Sequence, residues 1–131
     1  IPLTGLSEGT ITVSVKLTDT ADNESTAQTS DYLYPLDTTA PTGYTVSTFT
    51  LDGDNATFTM AGAETGTALA YTITDGSASV SGSVANVASA TESVSSINIS
   101  SLADGTLTVS VTLTDSSSNA GTAVTKTVAY V

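Results

Sequence analysis

The sequence predicts an all-β fold of short antiparallel strands, and three observations support this prediction. First, apolar and hydroxylated residues alternate strictly over Thr106–Thr114, which is the period of a strand with one buried and one wet face. Second, Gly, Asp and Asn recur between such segments, as they do in turns. Third, no segment sustains the 3.6-residue period of an amphipathic helix.

Composition narrows the class of protein. The 131 residues include 27 Thr and 19 Ser, 13 acidic side chains against 2 basic ones, and no His, Cys or Trp. The sequence therefore offers no disulfide, no thiol or imidazole catalyst and no zinc site. A net charge of −11 argues against nucleic acid or an anionic membrane as partner, and no apolar run predicts membrane insertion. We expect a structural or binding module and no enzyme.

An internal repeat organises the chain. Residues 6–23 and 102–119 align at an offset of 96 with 11 identities in 18 positions. This period is too long for a solenoid coil or a propeller blade, and it fits tandem Ig-like β-sandwiches of about seven strands. We therefore divide the chain into the last two strands of a preceding Ig-like repeat (1–36), a linker (37–42) and a complete Ig-like repeat (43–131).

The alternating pattern then places each element in order. Residues 9–34 form a hairpin that is the counterpart of 105–130. The complete repeat has seven predicted strands, at 44–51, 56–61, 68–75, 78–85, 92–99, 106–114 and 122–130. Turn residues separate them, for example Asp52-Gly-Asp-Asn55 and Asp115-Ser-Ser-Ser-Asn119. The fold class predicted from these elements is an antiparallel Ig-like sandwich without disulfides.

These segments resemble a known family. The motif Leu102-x-Asp-Gly-Thr-Leu-Thr-Val-Ser-Val-Thr-Leu-Thr-Asp-x-x-x-Asn119, preceded by the linker Asp37-Thr-Thr-Ala-Pro41, is similar to the bacterial Ig-like repeats of giant cell-surface proteins, including RTX-type adhesins and biofilm proteins. The resemblance implies a secreted chain at the bacterial cell surface, whose tandem repeats extend a functional tip. It also implies that calcium often stiffens the junctions between repeats.

The acidic residues suggest where calcium would bind. In an Ig-like sandwich the second and sixth loops share a pole with the domain N-terminus. That junction would hold Asp37, Glu64, Asp115, Asn119 and, from the preceding repeat, Glu8. The opposite pole would hold Asp52, Asp54 and Asp104. Calcium takes six to eight oxygen ligands, and each junction offers three or four, without the spacing of an EF-hand. Asp and Asn are also ordinary turn residues. The sequence therefore leaves two interpretations open, namely that these residues bind calcium or that they only form turns.

The function that we expect is a stalk or extender repeat of an extracellular adhesin, with neighbouring repeats of the same chain as partners. An alternative is a filament subunit, since the hairpin of residues 9–34 has one apolar face that could complete an adjacent subunit by strand addition. A weaker alternative is a glycan- or ice-binding module, because Thr-x-Thr pairs recur along the strands. The sequence names no ligand for the tip.

Overall fold

A computed structural model describes residues 9–34 and 37–131, and every regular element in these ranges is a strand. The strands are β1 (Gly9–Val15), β2 (Gln28–Tyr34), β3 (Thr45–Asp52), β4 (Asn55–Ala61), β5 (Ala68–Thr74), β6 (Ser79–Val84), β7 (Ser93–Asn98), β8 (Gly105–Thr114) and β9 (Val124–Tyr130). The predicted all-β class is confirmed. The first and last residues of each predicted strand of the second repeat lie within two residues of those observed. The backbone divides into two compact units, residues 1–37 and 38–131, which we call the hairpin unit and the sandwich unit.

In the hairpin unit, β1 and β2 pair antiparallel from Gly9 opposite Tyr34 to Val15 opposite Gln28. The apolar residues predicted to share one face of this hairpin are largely accessible. Val13, Val15, Leu17 and Tyr32 are 55%, 51%, 73% and 67% exposed. Two strands alone cannot cover such a face, and an isolated hairpin is only marginally stable in water.

The sandwich unit contains two antiparallel sheets. One has the strand order β3-β4-β7 and the other the order β6-β5-β8-β9. The fourth strand of this unit, β6, therefore pairs with β5, whereas the fourth strand of a constant-type Ig domain joins the sheet of the first two strands. The alternating pattern of the sequence is equally compatible with both sheets, so only the three-dimensional structure assigns β6.

The core lies between the two sheets and follows directly from the period of two. In β8 the side chains of Leu107, Val109, Val111 and Leu113 are fully buried, while the hydroxylated residues between them are partly exposed. The facing sheet contributes Phe58, whose ring packs edge-on against Tyr71 with centroids 5.2 Å apart. Burial of these alternating side chains is the main stabilising contribution to the unit.

Candidate functional site

The N-terminal pole of the sandwich unit is formed by three chain segments that pack closely. A Cβ added at Gly121, in the β8–β9 loop, would lie 2.5 Å from the carbonyl oxygen of Pro41. A Cβ added at Gly62, in the β4–β5 loop, would lie 2.8 Å from the carbonyl oxygen of Gly43. Both loops thus lie against the segment that leads into β3, at the pole where the sequence places them. Pro41, which falls in the predicted linker, is itself buried in the sandwich unit.

Tyr44 joins these segments through its hydroxyl. It donates to the carbonyl oxygen of Thr122 at 2.6 Å and accepts a hydrogen bond from the backbone N–H of Leu113 at 3.3 Å. The ring is buried, with only 4% of the residue exposed. The segment that leads into β3 is therefore tied both to the end of β8, at Leu113, and to the β8–β9 loop, at Thr122. The sequence predicts Tyr44 only as the beginning of a strand, since a hydroxyl partner 78 residues away leaves no local signal.

The β8–β9 loop is closed by Asp115 and Asn119. One carboxylate oxygen of Asp115 accepts from the backbone N–H of Ser117 at 2.8 Å and of Asn119 at 2.9 Å, and the other accepts from the Asn119 side-chain amide at 2.9 Å. These donors, the Asn119 amide first, hold the pKa of Asp115 below its ordinary value. Two residues predicted as calcium ligands therefore bond to each other.

The hairpin unit contains the same loop. Asp19 accepts hydrogen bonds from the backbone N–H of Ala21 at 2.8 Å and of Asn23 at 3.0 Å, and from the Asn23 side-chain amide at 2.9 Å. The Asn23 amide is again the first cause of a lowered pKa, here of Asp19. Asp22 has a positive φ of 62°, as Ser118 has at 70°. The repeat at an offset of 96 is thus a repeat of conformation as well as of sequence.

The C-terminal pole of the sandwich unit brings Asp54 and Asp104 close to Tyr130. The Tyr130 hydroxyl donates to Asp54 Oδ1 at 2.7 Å. This hydrogen bond, together with the negative charges of Asp54 and Asp104, raises the pKa of Tyr130. The Asp54 carbonyl oxygen also accepts from the backbone N–H of Ile99 at 2.9 Å. Asp52, predicted for the same pole, lies exposed at the end of β3.

Two acidic residues that the sequence analysis does not single out also hold loops together. Asp75 accepts from the backbone N–H groups of Ser77 and Ala78 in its own turn and of Ala103 in the β7–β8 connection, each at 2.7 Å. The Ala103 N–H is the first cause of its lowered pKa. Glu92 accepts from the backbone N–H of Ala88 at 2.8 Å. The sequence gives one signal for such bonds, which is an acidic residue next to a turn glycine, as in Asp75-Gly76.

The predicted calcium ligands that the structure describes are thus placed in three groups. Glu8 lies outside the described residues. Asp37 belongs to the hairpin unit. Glu64, Asp115 and Asn119 lie in loops at the N-terminal pole, and Asp52, Asp54 and Asp104 lie at the C-terminal pole. Within residues 9–34 and 37–131, no three acidic side chains form a group that could hold a metal ion. One pole of the described chain therefore supplies two nearby carboxylates at most, whereas calcium takes six to eight oxygen ligands. Calcium binding stays a prediction.

The outward sheet face of the sandwich unit carries uncharged hydroxyl groups, whereas its loops and strand ends carry the acidic residues. Its seven acidic residues all lie in loops or at strand ends. Two rows of hydroxyls cross the outward face of the larger sheet, namely Ser79, Thr74, Thr108, Thr127 and Ser81, Thr72, Ser110, Thr125. Ala70 interrupts the next row. The aromatic residues of the sandwich unit are packed at the core, and no aromatic row for a glycan appears within residues 38–131.

The chain is similar to a crystal structure described as a tetra-tandem repeat in the extending region of a large adhesion protein, with 25% sequence identity and a TM-score of 0.54. The match covers 98% of this chain and 34% of that one, so this chain spans about a third of the length of the solved structure. The predicted resemblance to tandem repeats of a large adhesion protein is thereby confirmed. No family model and no curated protein matches the sequence.

Within the described part of the chain, no helix has the length and apolar character that crossing a bilayer requires.

Proposed function

We propose that this chain is a structural extender repeat of a bacterial extracellular adhesin, in which folded repeats joined end to end carry a tip away from the cell surface. The similarity to repeats in the extending region of a large adhesion protein supports this role. We assign no catalytic role to the chain, because the Asp75 and Asp115 carboxylates hold loops together and no His or Cys is present.

The observation that carries the proposal is the position of the two chain ends of the sandwich unit. Pro41 and Gly43 lie against the β4–β5 and β8–β9 loops, whereas Tyr130 lies against the β3–β4 turn. β8 runs between these poles over ten residues, a length of about 33 Å. The chain therefore enters at one pole and leaves at the other, so that each repeat adds its long dimension to a rod.

The repeated pair of strands gives independent support for an array of tandem repeats. β1 and β2 pair in the register of β8 and β9 shifted by 96 residues, as Gly9 opposite Tyr34 and Gly105 opposite Tyr130 show. The exposed apolar face of the hairpin unit corresponds to the buried face of β8. We infer that the hairpin unit is the closing part of a second sandwich of the same kind, so that its natural cover is a set of strands equivalent to β3–β7.

Calcium enters this proposal as a ligand shared between adjoining repeats. Asp54 and Asp104 would contribute from one repeat, and Asp37 with Glu64 from the linker and the next repeat. The Asp115 carboxylate already accepts three hydrogen bonds, so it retains little capacity for a metal ion. A calcium ion bound between Asp54 and Asp104 of one repeat and Asp37 and Glu64 at the start of the next would hold two negatively charged poles together and would stiffen the junction.

The second candidate function is a filament assembled by strand donation, and the exposure of Val13, Leu17 and Tyr32 favours it. In that case the hairpin unit of one chain would complete a sandwich of another. Both functions are structural. They differ in whether the strands that cover the hairpin come from the same chain or from a neighbour.

The decisive experiment uses a seamless two-repeat chain, in which residues 38–104 are joined ahead of residues 9–131. Small-angle X-ray scattering of chains with one, two and four repeats measures the maximum dimension. We expect it to grow linearly, by about 35–40 Å for each repeat, since β8 alone spans about 33 Å. A control with Gly-Ser-Gly inserted between Asp37 and Thr38 should grow less steeply. Compact particles whose size does not follow repeat number would overturn the extender role.

A further inference from the structure

The sandwich unit has four edge strands, and three of them are protected against pairing with another chain. β3 carries a bulge at Ser47 and lies beside β9. β9 carries Lys126, the one cation of residues 38–131. β7 is bulged at Ser96, which has a positive φ of 58°. Bulges and edge lysines are the devices by which natural sheets discourage strand addition.

β6 has none of these devices. Its residues, Ser-Val-Ser-Gly-Ser-Val, include no charge and no proline. It pairs with β5 at six consecutive positions without a register shift, so its outer side is regular as well. Gly82 in its centre faces the Tyr71 ring, which leaves no room for a side chain there. β6 is thus the open edge of the sandwich unit.

The hydrogen-bonding groups on the open side of β6 follow from the register. In the turn before it, the backbone N–H of Asp75 donates to the carbonyl oxygen of Ala78. Hydrogen-bonded pairs alternate along an antiparallel ladder, so Val80, Gly82 and Val84 bond to β5. The N–H and carbonyl groups of Ser79, Ser81 and Ser83 consequently point away from the sheet, and they form a row ready for another strand.

We propose that β6 is an interaction surface that pairs antiparallel with β6 of a second copy of this chain. Every copy of residues 38–131 presents β6 as its unprotected edge, so a second copy supplies a strand of matching length and regularity. A two-fold axis then makes one strand its own complement. Charge permits the approach, because β6 itself carries no charged side chain and the acids of the sandwich unit lie in loops or at strand ends. The interface is small, so the association is weak.

The direction of the paired strands gives this contact a function that rests on the proposed extender role. Antiparallel β6 strands place two rods side by side and pointing in opposite directions. Rods that project from two facing cell surfaces meet in that orientation. The partner that fits β6 is therefore a repeat on an opposing rod, and the contact is one of cohesion between surfaces.

Sedimentation equilibrium of the 131-residue chain, from micromolar to millimolar concentration, tests the pairing. We expect a reversible dimer at the upper end of this range. Ser81→Lys should lower the association constant about tenfold or more, since a charge on the edge blocks strand addition. Thr125→Lys places the same charge on the same sheet face at the other edge, and it should leave the constant within about twofold.

Two further measurements locate the contact. Amide hydrogen exchange should slow with concentration at Ser79, Ser81 and Ser83 only. Ser81→Pro should abolish the dimer while the fold persists, because the Ser81 N–H makes no ladder bond to β5. A chain that stays monomeric, or a dimer that survives both Ser81 variants, overturns the proposal. Loss of the dimer in Leu17→Lys alone would assign it to the hairpin face and would leave the extender role untouched.

Discussion

The Asn119 side-chain amide donates to the Asp115 carboxylate at 2.9 Å, and 96 residues earlier Asn23 donates to Asp19 at the same distance. The three residues between the partners differ completely, Thr-Ala-Asp in the first loop and Ser-Ser-Ser in the second. The conformation of the loop is therefore set by its first and last residues. This explains why an Asp and an Asn spaced by four recur at the same point of both units.

The Asp115 bond predicts a dependence of stability on pH. Its pKa is lower in the folded chain than in the unfolded one, where Asp titrates near pH 4. The carboxylate therefore stabilises the fold above about pH 4, and this contribution is lost as the pH falls through the folded-state pKa. We expect Asp115→Asn to lower Tm at neutral pH, and the difference from the unmodified chain to shrink in acid.

The matched control for this measurement is Asp52→Asn, which removes an exposed carboxylate at the other pole of the same unit. Its Tm should differ little from that of the unmodified chain across the same pH series. A difference for Asp115→Asn that stays constant from neutral to acid pH would show that the carboxylate is not the stabilising group.

The strands could be predicted because burial on one face imposes the period of two, and because Asp, Asn and Gly mark the turns. The packing in β8 of Leu107 and Val109 inward and of Thr108 outward is the simplest example. The repeat likewise predicted that residues 9–34 would form the same hairpin as 105–130.

Other features could not be predicted, for identifiable physical reasons. The strand order depends on long-range pairing, and β6 has the same alternation whichever sheet it joins. The bond from Tyr44 to Thr122 and the bond from Ala103 to Asp75 join residues that are distant in sequence. Sequence reasoning placed Asp115 and Asn119 in one loop as predicted calcium ligands, but it did not show that their side chains bond to each other.

Removal of the Tyr44 hydroxyl should destabilise the sandwich unit. Tyr44→Phe leaves the buried N–H of Leu113 and the carbonyl of Thr122 without this partner, which we expect to cost about 1–3 kcal/mol. Urea unfolding measures the loss. Tyr71→Phe is the matched control, because within residues 38–131 the Tyr71 hydroxyl makes no hydrogen bond. Equal losses of unfolding free energy in both variants would show that the hydrogen bonds of the Tyr44 hydroxyl do not stabilise the sandwich unit.

Calcium should raise the thermal stability of the two-repeat chain, which contains a whole junction. We expect Tm to rise by several degrees in excess calcium over its value in chelator, because the metal binds the folded junction and not the unfolded chain. Asp37→Asn and Asp104→Asn should each remove most of this rise, whereas Asn86→Ala, in a loop without a predicted ligand role, should keep it. An equal Tm with and without calcium would leave a metal-free rod.

The strongest test of the repeat concerns Leu17 and Leu113, which are 96 residues apart and differ fully in exposure, at 73% and 0%. In the 131-residue chain, Leu113→Ala should cost about 2–5 kcal/mol, as truncation of a buried leucine does, and Leu17→Ala should cost almost nothing. In the two-repeat chain, Leu17 gains the strands that cover its counterpart, so Leu17→Ala should then cost as much as Leu113→Ala. Urea unfolding with both variants in both chains gives the four values. A Leu17→Ala variant that stays neutral in the two-repeat chain would mean that the hairpin face is not covered within one chain, and strand donation to a neighbouring subunit would become the better account.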